Sequence, residues 1–312
     1  MGRDDLRGVA VLVLLFVAVM GGRELGNLYS TYREIQGLQV VFQVSEGDLA
    51  SYLLAVQGGG EASLEVGMVI ASPQVNTETG LVKETPEYVR RWLVGLTVNP
   101  VSVVQPAASD VELEMLVEGV VVERGVYPFP REKLGFLTYR TRVLQLRVGD
   151  PGALRRAVEG ALETYGGEVE VTLRGRVRIH LLFLETWLPF QVSRYPLVRV
   201  PHLEYLGSRW MGYAQGEVEA LGAGEGGYVL AVFRNPTRVH SLMENITCSL
   251  GPVGGRAALN VSKTVSVPPG LEGEYVFPFV FEEAGEYVYV FARGGEVLGA
   301  SPRPLVVAQP PP

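Results

Sequence analysis

From residue 38 onward, apolar and polar residues alternate in short runs, the period-2 pattern of strands buried on one face only. The alternation is plain in Glu112-Leu113-Glu114-Met115-Leu116-Val117-Glu118, in Glu168-Val169-Glu170-Val171-Thr172-Leu173-Arg174 and in Arg176-Val177-Arg178-Ile179-His180-Leu181. With charge on one phase, these runs predict antiparallel sheets that face a core on one side and water on the other. The 38 Gly and 20 Pro break the runs at the short intervals of a sandwich or barrel. One stretch of the body has a helical period instead. Asp150 is placed to cap and Pro151 to start a helix whose stripe is Leu154, Val158, Ala161, Leu162 and Tyr165, ended by Gly166-Gly167. The pattern predicts that this helix packs across an open end of a sandwich. Residues 85–92 add a short helical turn or lead into a strand.

The N-terminus has a different texture. Gly8 to Gly22 reads GVAVLVLLFVAVMGG, fifteen residues without a charge. A spanning helix needs about 20 apolar residues and a signal-peptide core roughly 7–15, so length alone favours a cleaved signal. Gly21-Gly22-Arg23-Glu24 is a poor cleavage site, however. Leu6 extends the run past Arg7, and Arg7 and Arg23 can snorkel to the two interfaces. Leu25, Leu28, Tyr29, Tyr32 and Ile35 then continue at helical spacing. The expectation is an uncleaved anchor, contacting membrane lipid through residues 6–22, within an anchor and stalk of 1–37. Basic residues nearly balance across the run and leave orientation open. Two N-x-S/T triplets, Asn245-Ile246-Thr247 and Asn260-Val261-Ser262, are glycan-acceptor candidates and tip the bulk of the chain outside the cytoplasm.

The body divides near residues 200–215, where Val200-Pro201-His202 closes a strand-rich block and 208–212 reads as irregular. The expected organisation is a sandwich with one helix over 38–200, a second sandwich over 213–308, and a structureless tail at 309–312. At 312 residues, 47% hydrophobic and 20% charged, the chain can bury two cores. A net charge of −7 argues against nucleic acid as a partner. A single cysteine, Cys248, excludes an internal disulfide framework and multi-cysteine zinc sites. Three His, three Lys and five Asp against 29 Glu and 24 Arg leave few of the residue types that most often do chemistry.

The segment from about Trp92 to Val200 resembles the type 2 late-embryogenesis-abundant family, the WHy domain. The match is carried in order by Leu93-Val94-Gly95-Leu96-Thr97-Val98-Asn99-Pro100, the strand 111–118 with its partner Val120–Gly125, and the strand Arg140–Val148. The lone helix, Val171–Val177 and Trp187-Leu188-Pro189-Phe190 complete it. The resemblance implies a non-enzymatic, stress-protective or interaction sandwich, and it brings no catalytic residues. Its signature, Asn99 and Pro100, is read structurally, because Pro removes a ladder donor and Asn caps the turn. Ser72-Pro73 is the place for a degenerate earlier copy. The block 213–307 resembles an immunoglobulin or fibronectin type III module, with Gly285-Glu286-Tyr287 similar to a tyrosine corner. Phe233-Arg234-Asn235-Pro236 repeats the Asn-Pro ending, so a diverged copy of the first sandwich is the other reading of this block.

Candidate chemistry thins out on inspection. Gly222–Gly227 satisfies GxGxxG, but Tyr228–Phe233 after it reads as a strand, so the loop is expected to be a hairpin turn, like Gly58-Gly59-Gly60. His180, His202 and His240 have no ligand neighbour at metal spacing, and His180 is expected to be exposed. Glu282, Glu283 and Glu286 lack the Asp and Asn of a calcium loop. Cys248 reads as a small core residue. No cofactor and no enzymatic activity are expected. The function expected is a membrane-anchored, outward-facing binding or structural protein, with a stress-protective role implied by the resemblance alone. The alternatives are a carrier of lipid or another apolar ligand, with Leu181–Leu184 and Trp187-Leu188 lining a cleft, and a subunit of a cell-surface assembly.

Overall fold

The computed structural model describes residues 12–19, 21–22, 26, 35–60, 63–83, 106–134, 138–181, 184–214 and 216–309. Asn99 and Pro100, the turn at 85–92 and the tail 310–312 lie outside the described residues. The described chain is mainly β. It divides into two compact units, Met1–Val158 with Glu170–Pro196, and Glu159–Val169 with Leu197–Pro312.

Residues 12–19 are helical, and Leu12, Val13, Leu14, Leu15, Phe16, Val17 and Val19 are all exposed. Among the described residues no helix is long and apolar enough to cross a membrane.

The first unit contains β1 (Gln39–Gln43), α1 (Glu46–Gln57), β2 (Ser63–Ala71), β3 (Ala107–Val117), β4 (Val120–Tyr127), β5 (Glu132–Lys133) and β6 (Tyr139–Arg147). Helix α2 (Pro151–Thr164) starts in it, and β7 (Val171–Leu181) and β8 (Leu184–Arg194) close it. Strands β1-β2-β6 form one antiparallel sheet and β4-β3-β7-β8 the other, with β5 attached to β3. The alternation read from sequence appears directly: Val111, Leu113 and Met115 are buried while Glu112 and Glu114 face out. The sheets meet where the ring of Phe42 on β1 lies 4.9 Å from that of Phe190 on β8. Gly175 permits that approach, since a Cβ there would collide with the Glu112 carbonyl oxygen and stand 2.8 Å from Phe190 Cζ.

Helix α1 was not expected, although its signals are local. The Ser45 hydroxyl accepts from the Asp48 N–H at 3.0 Å, and Leu49, Tyr52, Leu53 and Val56 make one buried stripe. Gly58–Gly60, expected to be a hairpin loop, ends this helix by bonding back to the Leu54, Ala55 and Val56 carbonyls. Helix α2 has the expected start, with the Ala153 N–H donating to Asp150 Oδ1 at 2.9 Å. Leu154, Val158 and Ala161 are buried, while Leu162 is only half-buried.

The second unit contains β9 (Glu204–Gly212), β10 (Gly216–Glu217), β11 (Ala220–Gly222), β12 (Gly226–Arg234), β13 (Leu242–Pro252), β14 (Leu259–Val267), β15 (Glu272–Val280), β16 (Gly285–Arg293), β17 (Glu296–Ala300) and β18 (Leu305–Ala308). One sheet runs β10-β9-β12-β15 and the other β11-β18-β16-β13-β14, with β17 on β16. Between them lies a core built on Trp210, Phe233, Phe277, Phe281, Tyr289 and Phe291, with Cys248 and Ile246 among them. The residues 208–212 are therefore strand and not irregular. Gly222–Gly227 is not a hairpin turn either. It is a corner between sheets, because β11 pairs with β18 and β12 pairs with β9 and β15.

Candidate functional site

Two polar constellations stand out, one in each unit. The first is the outer face of β3, β7 and β8. Register sets Glu112 opposite Arg176 and Glu114 opposite Arg174. The side chains follow: Arg176 Nε donates to Glu112 Oε2 at 2.6 Å, Arg174 Nε to Glu114 Oε2 at 2.8 Å, and Arg178 Nη1 lies 3.3 Å from Asp110 Oδ2. Arg124 on β4 also pairs with Glu114. The hydrogen bond from Arg174, aided by Arg124, holds the Glu114 carboxyl below the usual carboxylate range. Trp187 on β8 lies under this ladder, its ring centroid 4.4 Å from the Arg176 guanidinium and 4.9 Å from that of Arg178. Exposed ion pairs contribute about 0–1 kcal/mol each, so the ladder fixes strand register and surface pattern more than it stabilises the fold.

At the end of the ladder a bulge between Ala108 and Val111 displaces Ser109 and Asp110. Ser109 Oγ lies 2.7 Å from His180 Nε2, and His180 Nδ1 lies 3.2 Å from Glu185 Oε1. This is the atom order of a hydroxyl, base and acid relay. The cavity beside Ser109, bordered also by Ala108, Met68, Ile70, Phe129 and Arg140, measures about 10 Å³, room for roughly one water. In this conformation the three residues act as a clasp that orients the imidazole and ties three strands together. His180, expected to be exposed, is 13% exposed for this reason. Sequence reading missed the set because Ser109 is 71 residues from its partner.

The second constellation explains Asn235 and Pro236, both of which are buried. The Asn235 amide donates to the carbonyls of His240 at 2.8 Å and Val267 at 2.9 Å, and its Oδ1 accepts from the Thr237 N–H at 2.9 Å. The Asn-Pro pair ends β12 and pins the β12–β13 loop. Glu168 completes the knot. Fully buried, its carboxylate accepts from the Arg238 N–H at 2.8 Å and the Val239 N–H at 3.2 Å, and faces His240 Nδ1 at 2.7 Å. The turn before it is tight: a Cβ on Gly167 would stand 2.7 Å from the Arg199 carbonyl oxygen. Sequence alternation had placed Glu168 on the polar phase of a strand, and only the fold shows that the phase turns inward.

The remaining candidates separate. His202 pairs with Glu244 at 2.8 Å, far in sequence from His180 and His240, and among the described residues no group of His, Cys, Asp or Glu is arranged to hold a metal ion. Cys248 is buried, and burial pushes its thiol up to about 12, as befits a core residue. Glu282, Glu283 and Glu286 are exposed. Asn245 and Asn260 are exposed on β13 and β14. Trp187, expected to line an apolar cleft, instead lies beneath two guanidiniums on the outer face.

Comparison with known proteins names no family. No family model matches the chain, and no curated protein matches it. Among solved structures, a red sea bream transglutaminase is 10% identical over 88% of this chain and 32% of its own, with a TM-score of 0.25. A β-glucuronidase of Bacteroides uniformis is 9% identical over 85% of this chain and 32% of its own, with a TM-score of 0.26. A glycosyl hydrolase family 2 member from Bacteroides cellulosilyticus is 9% identical over 76% of this chain and 28% of its own, at 0.24. The chain thus spans about a third or less of the length of these proteins, and likeness at this level carries no argument about function.

Proposed function

We propose that this chain is a membrane-anchored, outward-facing structural or binding protein that presents two β-sandwich modules. The observation that carries the reading is the apolar segment 12–19, whose seven large side chains are 56–70% exposed. Burying each in lipid instead of water is worth about 1.5–3 kcal/mol, so together they favour a bilayer by on the order of 10 kcal/mol. Eight helical residues span only about 12 Å against a hydrocarbon core of about 30 Å. Anchoring therefore calls on the whole stretch 6–22, the uncharged run 8–22 with Leu6 beyond Arg7. The modules themselves offer patterned surfaces, the Glu–Arg ladder above all.

The order β3, β4, β6, α2, β7, β8 supports the resemblance of the first module to the WHy domain. For the second module, the sheet orders β9-β12-β15 and β18-β16-β13-β14 support an immunoglobulin-like reading. So does Tyr287, at the start of β16, whose hydroxyl donates to the Glu283 carbonyl at 3.1 Å.

Partition of the full chain between membrane and soluble fractions tests the proposal. The chain is expected to pellet with membranes, to resist washing with high salt or alkaline carbonate, and to be released by Leu15→Arg with Phe16→Glu. A wild-type chain found in the soluble fraction would sink it.

A further inference from the structure

The two N-x-S/T triplets lie on consecutive strands, β13 and β14, and come together on one surface. Strands β13 and β14 pair so that Asn245 faces Thr264, Thr247 faces Ser262 and Ser249 faces Asn260. Their outer faces are thus made of Met243, Asn245, Thr247 and Ser249 beside Asn260, Ser262, Thr264 and Ser266, which are exposed or half-buried. Seven of these eight positions carry a hydroxyl or an amide and none carries a charge. In a chain with 27 Lys and Arg and 34 Asp and Glu, that is an unusual way to solvate a sheet, and it contrasts with the charged ladder of the first unit.

The asparagines themselves narrow the reading. The chain has six, at 27, 76, 99, 235, 245 and 260. Only Asn245 and Asn260 begin an acceptor triplet, and both are on this face. Asn235 also has a Thr two residues on, but Pro236 intervenes and its amide is buried in the β12–β13 knot. On the outer face the geometry leaves the reacting atoms open. Thr264 donates to Asn245 Oδ1 at 2.8 Å, and Nδ2 has no partner among the described residues. The two triplet hydroxyls, Thr247 and Ser262, bond to one another at 2.8 Å at the surface. Four residues of strand and one strand spacing separate Asn245 from Asn260, about 14 Å, so both positions can be occupied at once.

We infer that the β13–β14 face is a twin glycan-attachment surface, with sugar chains on Asn245 and Asn260. The inference rests on the outward placement proposed above. The donor class is an oligosaccharide carried on a lipid phosphate or pyrophosphate. The asparagine Nδ2 forms a bond to the anomeric carbon, the bond from that carbon to the phosphate oxygen breaks, the lipid phosphate leaves with the electron pair, and the one proton lost from the amide passes to solvent or to the departing phosphate.

Peptide mapping by mass spectrometry of the full chain recovered from its source cells tests this, alongside protease treatment of the intact cells. The peptides holding Asn245 and Asn260 are each expected to exceed their sequence mass by whole sugar residues. Asn245→Gln and Asn260→Gln should each abolish their own increment and leave the other. Thr247→Ala keeps the asparagine but should also abolish the increment at 245, which separates triplet-directed transfer from any other change at that amide. Both peptides at their bare masses overturn the inference. If added protease then still digests the chain on intact cells, the outward placement stands and only the glycan surface falls; if it does not, both fall together.

Discussion

At the scale of single residues, two buried tyrosines show how partner geometry sets the sign of a substitution. Tyr289 places its hydroxyl 2.6 Å from Ser208 Oγ, and burial pushes it up to about 12. Tyr52 on α1 is also buried, but its hydroxyl has no hydrogen-bond partner among the described residues, and burial raises its pKa above the usual value of 10.0. A satisfied hydrogen bond adds about 1 kcal/mol, whereas an unsatisfied buried hydroxyl costs about 1–3 kcal/mol. Tyr289→Phe is therefore expected to lower stability by about 1 kcal/mol at pH 7, and Tyr52→Phe to leave it unchanged or raise it by a similar amount. The alkaline limb follows from the same shifts. Because the folded pKa lies above the unfolded one, each phenol's contribution is complete below about pH 10 and disappears as pH rises through its folded pKa. Either variant should flatten the fall in stability above pH 10. Urea midpoints at pH 7 and pH 11 check both statements, and equal destabilisation by the two changes at pH 7 would contradict them.

Among the elements, α2 and α1 make an instructive pair. In α2, Leu154 is 1% exposed, so Leu154→Ala is expected to cost about 2–5 kcal/mol. Leu162 shares the stripe but is only half-buried, and its truncation should cost clearly less; thermal unfolding of both variants decides, and an equal loss would mean that the stripe is buried to its end. This helix was legible because Asp150, Pro151 and five apolar residues at helical spacing all point the same way. Helix α1 carries a comparable cap in Ser45 and Asp48, but it is bracketed by strands of similar composition and its stripe alternates with apolar neighbours such as Leu54 and Ala55. Strand β9 was hidden for a different reason. Its pairing with β12 slips between Val232 and Phe233, leaving Leu206 as an extra residue that breaks the period-2 signal. The polar sites divide along the same line. Asn235-Pro236 was readable because most of its bonds, to Thr237 and His240, are local and only the one to Val267 is not; Glu168 and Ser109 find partners about 70 residues away, and nothing local marks them.

For the whole molecule, the question is how much chain the second sandwich needs in order to fold. A block beginning at residue 213 would hold most of its strands but would omit β9, which pairs with β12 from Gly212 back to Glu204. That strand brings Trp210, whose ring lies 4.6 Å from Tyr289 and 6.1 Å from Phe281, and Ser208, which binds both Tyr205 and Tyr289. Losing a buried Trp alone costs about 3–5 kcal/mol, a large share of the roughly 5–15 kcal/mol that holds a domain together. The deletion would also bare one edge of β12 along its length. A fragment of residues 197–308 is therefore expected to unfold cooperatively and to show dispersed amide signals. Residues 213–308 should bind a hydrophobic dye and melt without a sharp transition. Even the longer fragment lacks Glu168, so the Arg238 and Val239 amides should exchange faster in it than in the full chain, while the β12–β15 ladder stays protected. If 213–308 proves as cooperative as 197–308, β9 is dispensable and the core is closed by the other strands alone.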